Sequence, residues 1–326
     1  MQVEHVGAKT PAVWGQPGGV DVELRNINIT LLQNNVSNAV QLESQRLHVH
    51  QSSFNQAGLC LWGPNGGVHD ATTDFYHSTT VKFNNVNYGW FHHNDIAWNC
   101  SAFDLDVSRH FVFEDNTVHA LQSGALPHGN SISNYNWRQY PHSHHWVFAH
   151  NTQTRPPHND PHNWAFHESV TTDGSGGWGA GVITSVDANT QAITALGLGV
   201  EKLSPIGARA VVVAGPGAGQ SAIVVGVLDN HTVLLDNHLR VVVGESVISV
   251  LAHCGHSMIV GNTWAWGMVV QWFGNILHGV IADNNFANMN VCSTGYGCKD
   301  GDGALESFGL CYGAQPQSSF FNEFRG

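Results

Sequence analysis

Phe111-Val112-Phe113-Glu114-Asp115-Asn116-Thr117-Val118 and Trp146-Val147-Phe148-Ala149-His150-Asn151 share one pattern, apolar-x-apolar-x-x-Asn. Looser copies run from Leu47-His48-Val49 to Phe54, from Gly89-Trp90-Phe91 to Ile96, and from Val280-Ile281-Ala282 to Asn285. A second strand-like signature alternates with the first: Val40-Gln41-Leu42, Leu59-Cys60-Leu61, Val81-Lys82-Phe83, Phe103-Asp104-Leu105 and Leu126-Pro127-His128. Its starts, at 40, 59, 81, 103 and 126, are 19, 22, 22 and 23 residues apart. Such a repeat is too short to bury a face alone and shows period-two alternation with no helical periodicity, so neighbours must stack into parallel sheets. The expectation is an all-β, right-handed parallel β-helix of about 22 residues per coil, with Val40, Leu59, Val81, Phe103 and Leu126 pointing inward in register. Asn at a fixed place in each coil fits a ladder at a turn, because Asn tolerates left-handed backbone and its amide can bond the same amide one coil away.

The pattern stops after His167 and returns near Gly255. Between them Asp173-Gly174-Ser175-Gly176-Gly177-Trp178-Gly179 leads into apolar strands around Val182, Ile193, Val211, Ile223 and Val233, separated by the turn signals Asp187-Ala188-Asn189 and Asp229-Asn230-His231. The expected organisation is coils over 1–170, a small inserted antiparallel β unit over 171–250, and further coils with a Cys/Gly-rich end over 251–326. Gly215-Pro216-Gly217-Ala218-Gly219-Gln220 lacks the Gly-Lys-Ser/Thr ending of a phosphate loop and no helix follows, so it reads as a tight β-turn.

Glu168-Ser169-Val170-Thr171-Thr172-Asp173-Gly174, Gly217-Ala218-Gly219-Gln220 and Val260-Gly261-Asn262-Thr263 resemble the secreted right-handed β-helix proteins of the pectate-lyase-like superfamily that carry a β insertion with a G-x-G-A-G-Q turn. The resemblance covers roughly 100–320 and implies the fold. It leaves activity open among polysaccharide lyases, hydrolases, uronate epimerases, tailspikes and non-catalytic surface proteins. It also implies that further coils follow the segment 313–326.

The 326 residues are 42% hydrophobic, which excludes disorder as the main state. Only 11% are charged, the places being taken by Gly (36), His (22), Trp (11) and Asn. A net charge of −12 gives no unaided grip on nucleic acid or anionic lipid. No apolar run approaches the roughly 18 residues of a membrane span, and Met1-Gln2-Val3-Glu4-His5 does not read as a signal peptide. The terminal cysteines Cys292, Cys298 and Cys311, the scarcity of lysine and the fold point to an extracellular or cell-surface protein. Sequons at Asn28, Asn35, Asn99 and Asn230 are its candidate glycosylation sites.

Outward residues of stacked strands form columns about 4.8 Å apart. The expected register puts Gln41, Cys60, Lys82 and Asp104 in one column and Glu43, Trp62, Asn84 and Asp106 in the next. Lys82 would neutralise an acidic sugar, since carboxylates beside it keep it protonated. Asp104 and Asp106 would transfer protons. Trp62 would stack on a sugar ring, with Glu43 and Asn84 completing the substrate-binding set. The competing reading is an ion pair on a polar wall. His119, His128, His142, His144, His145, His150, His158, His162 and His167 form a second constellation, and Asp160-Pro161-His162 resembles the D-P-H core of β-helix uronate epimerases. No zinc spacing is present, so these read as surface or turn residues and no metal or other cofactor is assigned. Asp300-Gly301-Asp302-Gly303 with Glu306 is a weak calcium signal. The functional expectation is an extracellular carbohydrate-active β-helix, of lyase, epimerase or hydrolase type, whose partner is a polysaccharide or glycan. The rival is a non-catalytic structural or adhesive solenoid, glycosylated and assembling end to end into filaments.

Overall fold

The computed structural model describes residues 2–5, 13–14, 18–31, 40–56, 79–98, 101–106, 108–120, 130–131, 144–154, 167–172, 177–200, 205–251, 254–265, 268–273, 276–287, 305–308 and 323–325. They form β-strands, with no α-helix among them. Three parallel sheets of eight strands each run the length of the chain, and the chain visits them in rotation, adding one strand to each sheet per circuit. The first sheet holds Gln2–His5, Asn28–Leu31, Ser53–Gln56, Asp95–Trp98, Thr117–Ala120, Thr152–Thr154, Thr263–Ala265 and Asn285–Ala287. The second holds Val13–Trp14, Val40–Leu42, Thr79–Asn84, Ser101–Asp106, Asn130–Ser131, His167–Thr172, Met268–Phe273 and Leu305–Phe308. The third holds Val22–Arg25, Arg46–His50, Tyr88–His92, Arg109–Glu114, His144–Ala149, Ser257–Val260, Val280–Ala282 and Glu323–Arg325.

Alternation along each strand sends every second side chain into one shared core. Leu42, Phe83 and Leu105 from the second sheet, Ile29, Phe54 and Ile96 from the first, and Val49, Phe91, Phe113 and Phe148 from the third meet there. In-register pairing stacks Phe91 on Phe113 and Phe113 on Phe148, with centroids 4.9 Å apart and planes 7° apart in both pairs. Gly89 fits the same logic: a Cβ there would collide with the ring of Phe111, its partner one coil on.

The turn from the third sheet to the first always takes two residues: Asn26-Ile27, Gln51-Ser52, His93-Asn94, Asp115-Asn116, His150-Asn151, Gly261-Asn262 and Asp283-Asn284. The first residue of each pair has φ between 52° and 66°. The second points inward. The expected asparagine ladder stands here, but the ladder residues are not the left-handed ones; those come one position earlier. Nδ2 of Asn94, Asn116, Asn151 and Asn262 donates to Oδ1 of Asn116, Asn151, Asn262 and Asn284 respectively, at 3.0–3.1 Å. The backbone N–H of each donates to the same oxygen at 2.8–2.9 Å. Each Nδ2 also donates one coil back, as Asn116 does to the carbonyl of Phe91 at 3.0 Å.

The other two corners absorb every change of coil length. One circuit takes 22 residues from Gly89 to Phe111 and from Met258 to Val280. It takes 42 from Leu47 to Gly89 and 35 from Phe111 to Trp146. This corrects the register read from the sequence. Val40 pairs directly with Val81, so no rung lies between them, and Leu59, Cys60 and Trp62 fall outside the described residues. Phe103 pairs with Val81 as expected but faces Asn130 on its other side, and Leu126 is again outside the described residues.

The longest circuit, from Trp146 to Ser257, contains a closed antiparallel barrel of Gly177–Asp187, Ala192–Ala195, Thr232–Leu235, Ser221–Asp229, Arg209–Ala214 and Val247–Leu251, named in barrel order. It has its own core, including Ile183, Ile193, Val224, Val233, Ile248 and Val250. Thr171 and Thr172 belong to the parallel sheet, paired with Gln271 and Trp272. The Gly215–Gln220 run is a tight turn in which Gly215, Gly217 and Gly219 adopt φ of 76°, 86° and 88°, a conformation that favours glycine. Gln220 then clasps the connection between Thr232–Leu235 and Val247–Leu251: its Oε1 accepts from the backbone N–H of Arg240 at 2.8 Å and its Nε2 donates to the carbonyl of Arg240 at 3.2 Å.

The ladder makes a quantitative prediction. Asn116→Ala leaves the N–H of Asn94 and the carbonyl of Phe91 without their buried amide partner, and should cost about 3 kcal/mol or more in urea unfolding. Asp115→Gly, one residue away at the exposed left-handed position, should stay within about 1 kcal/mol of the parent.

Candidate functional site on the third sheet

The outward side chains of the third sheet form three columns, fixed by the register. One runs Tyr88, His110, His145, His256 and His278. Successive ring centroids are 4.7, 5.2, 4.3 and 4.8 Å apart in that order, stacked in every pair but His110–His145, whose planes are tilted by 35°. The four histidines have φ of 53° or 54°. The second column begins Glu23, His48, Trp90, Val112, and the third Arg25, His50, His92, Glu114.

Where the second and third columns meet, four rings cluster on adjacent strands. His48 lies 4.2 Å from His50, 4.8 Å from Trp90 and 4.9 Å from His92 by ring centroids, and Trp90 lies 4.1 Å from His92. Nε2 of His48 and Nε2 of His92 are 2.7 Å apart, and Nδ1 of His92 is 2.6 Å from Nδ1 of His93. Nε2 of His50 is 2.9 Å from Oε1 of Glu23. The Trp90 indole N–H donates to Oε1 of Glu114 at 2.6 Å. His50 is buried, His48 and His92 are half-buried, and Trp90 is 44% exposed. One ring nitrogen from each of His48, His50 and His92 can be chosen so that all three lie within 4.8 Å of one another.

Burial lowers the affinity of His48 and His92 for a second proton, and the neighbouring imidazoles push in the same direction. The hydrogen bond with His50 holds the Glu23 carboxyl below its ordinary range. Further along, desolvation, reinforced by His145, His110 and Arg109, pushes His144 down to about 4. His145, His256 and His278 are lowered by desolvation first. The face is therefore a bank of largely neutral imidazoles carrying lone pairs, which can accept protons or ligate a cation.

The residues expected to act lie on the second sheet. Lys82, half-buried, sits in register between Gln41 and Asp104, and Asp106 pairs with Asn84. The Lys82–Asp104 adjacency expected from the sequence is thus present in the backbone. The side chains of Asp104, Asp106 and Asn84 lie outside the described residues. Glu43 accepts a hydrogen bond from Asn85 Nδ2 at 3.0 Å. Trp62 cannot share a rung between Val40 and Val81, which are paired directly. Among the sequons, Asn28 is exposed beside Ser53, Asn230 is half-buried in a barrel turn, and Asn35 and Asn99 are outside the described residues. Of the histidine run, His144 and His145 reach the third sheet, His150 occupies a corner, and His119 Nδ1 lies 3.4 Å from Asp95 Oδ1. His128, His142, His158 and His162, with Asp160, fall outside the described residues, as do Asp300–Gly303 and the three terminal cysteines.

The sequence reading missed His48, His50 and His92. The available signal was His48-x-His50, which on a strand puts both rings on one face, and the same parity at Trp90 and His92. No protein-family model matches this chain, and no curated protein sequence matches it significantly.

The histidine bank sets a pH dependence. A histidine whose folded-state pKa lies below its unfolded value binds fewer protons when folded, so stability falls as pH drops. For His144 the loss should begin near the ordinary pKa of 6.5 and be complete below about 4, with no contribution above neutrality. Thermal unfolding between pH 8 and pH 4 should show a falling Tm, and His144→Gln should flatten that fall.

Proposed function

We propose that the chain is a right-handed parallel β-helix protein of the pectate-lyase-like kind, acting outside the cell on polysaccharide, with its binding face on the third sheet. The three-sheet rotation supports the fold, and the right-handed sense follows from the crossover preference of parallel strands. The observation that carries the binding face is the Trp90–Glu114 pair: an exposed indole held by a carboxylate on the outer face of a sheet, with Tyr88, 51% exposed, two residues before it on the same side. Aromatic bodies with polar tips suit the apolar faces and hydroxyls of sugars. Lys82 and Asp104 on the second sheet form the competing location. The resemblance in the sequence and the low charge, which suits a neutral or weakly acidic polymer, support the same reading.

Affinity electrophoresis and product assays over a panel of neutral and uronate polysaccharides test this. Trp90→Ala should weaken binding at least about tenfold, or roughly 1.4 kcal/mol, while Lys82→Ala changes it little. If Lys82→Ala and Asp104→Asn abolish binding and Trp90→Ala does not, the working face is the second sheet. If no polysaccharide is bound or altered, the structural or adhesive reading replaces this one.

A further inference from the structure

We propose that His48, His50 and His92 form a binding site for one divalent transition-metal ion, built across two neighbouring strands of the third sheet. This site does not depend on the polysaccharide reading. His48 and His50 stand two residues apart on Arg46–His50, so both project from the same face, and His92 lies directly across from His50 on Tyr88–His92. A ring nitrogen from each lies within 4.8 Å of the others. The Nε2 atoms of His48 and His92 point at each other across 2.7 Å, closer than the roughly 3.3 Å expected of two nitrogens on one tetrahedral zinc. Small ring rotations would therefore open the pair enough to admit an ion.

The surrounding groups prepare the tautomers. With Glu23 ionised, the proton of His50 sits on Nε2 and donates to Oε1, leaving Nδ1 with its lone pair. His92 can carry its proton on Nδ1 and donate it to Nδ1 of His93, which leaves Nε2 as the ligand atom. His48 then shifts its proton from Nε2 to Nδ1 when the ion replaces the His48–His92 hydrogen bond, so the three rings bind as neutral ligands and no proton is lost. A carboxylate behind one ligand and an imidazole behind another are the supporting contacts that orient histidines on metals. All-imidazole ligation selects zinc, cobalt, nickel or copper over calcium and magnesium. Three protein ligands leave a coordination position for water or an exogenous group.

The test is calorimetric titration of the full chain, freed of metal by chelation, with Zn²⁺ and with Co²⁺, in the absence of any glycan. One ion per chain is expected, with a rise in Tm and a visible cobalt spectrum of tetrahedral intensity. His48→Gln and His92→Gln should each weaken binding by more than about a hundredfold, and His93→Ala by about tenfold. Circular dichroism identifies any variant that fails to fold, and His50→Asn then serves in its place. His145→Gln and His256→Gln, in the adjoining ring column, should leave affinity and stoichiometry unchanged. Excess Ca²⁺ should not compete. Unchanged zinc affinity in folded His48→Gln and His92→Gln variants, or equal losses from the adjoining-column variants, would overturn the assignment, as would absence of binding at millimolar metal.

Discussion

The buried amide ladder at the two-residue corner is the interaction on which the rest of this structure depends. Each ladder asparagine bonds the next coil through both its amide and its backbone, and the previous coil through a carbonyl, so adjacent circuits cannot slip without stranding several buried polar groups. The ladder runs from Asn94 to Asn284 and passes straight across the barrel excursion, because Asn151 bonds Asn262 directly although 111 residues separate them. The circuit can therefore lengthen at the other two corners without loss of register. Ser52 ends the ladder by giving its N–H to Asn94 Oδ1, and its own hydroxyl receives the N–H of Ile27.

Once coils are held in register, each side chain faces the side chain at the same position of the next coil about 4.8 Å away. Inside, this favours planar rings that stack, as Phe91, Phe113 and Phe148 do. Outside, it disfavours like charges, which would repel directly opposite one another. The histidines of the third sheet suit this constraint: imidazole is polar, planar and neutral when desolvated, so it stacks in a column without the repulsion that a row of lysines or glutamates would meet. The same neutrality gives the face chemical capacity, since a column of uncharged imidazoles is also a column of lone pairs. Opposite charges occur where the pairing is across strands, as with Arg46 and Asp21.

The barrel obeys a different logic. Its six antiparallel strands close on their own core, and its turns rest on glycines and on the Gln220 clasp rather than on stacked asparagines. It is attached through the second-to-third-sheet corner, where the register of the parallel coils is indifferent to added length. Loop closure entropy grows only logarithmically with loop length, so a large excursion at a corner that the ladder does not use is tolerated.

The amino-acid sequence by itself marked several of the strands, among them Val40–Leu42, Arg109–Glu114 and His144–Ala149, the place of the asparagine in each coil, and the interruption that houses the barrel. All of these are local: alternation, a turn requirement and a run of glycines leave their mark within a few residues. Only the tertiary structure decided which strands are neighbours. The sequence placed Leu59 between Val40 and Val81 because a near-constant period was the simplest reading, whereas the circuit there takes about twice the length of the shortest ones. The number of residues that separates Ser53–Gln56 from Thr79–Asn84 carries little energetic penalty, and spacing therefore carries little information about pairing. The histidine cluster was hidden for the same reason. His48-x-His50 and Trp90-x-His92 are each ordinary on their own, and they become a site only when the ladder sets Arg46–His50 beside Tyr88–His92.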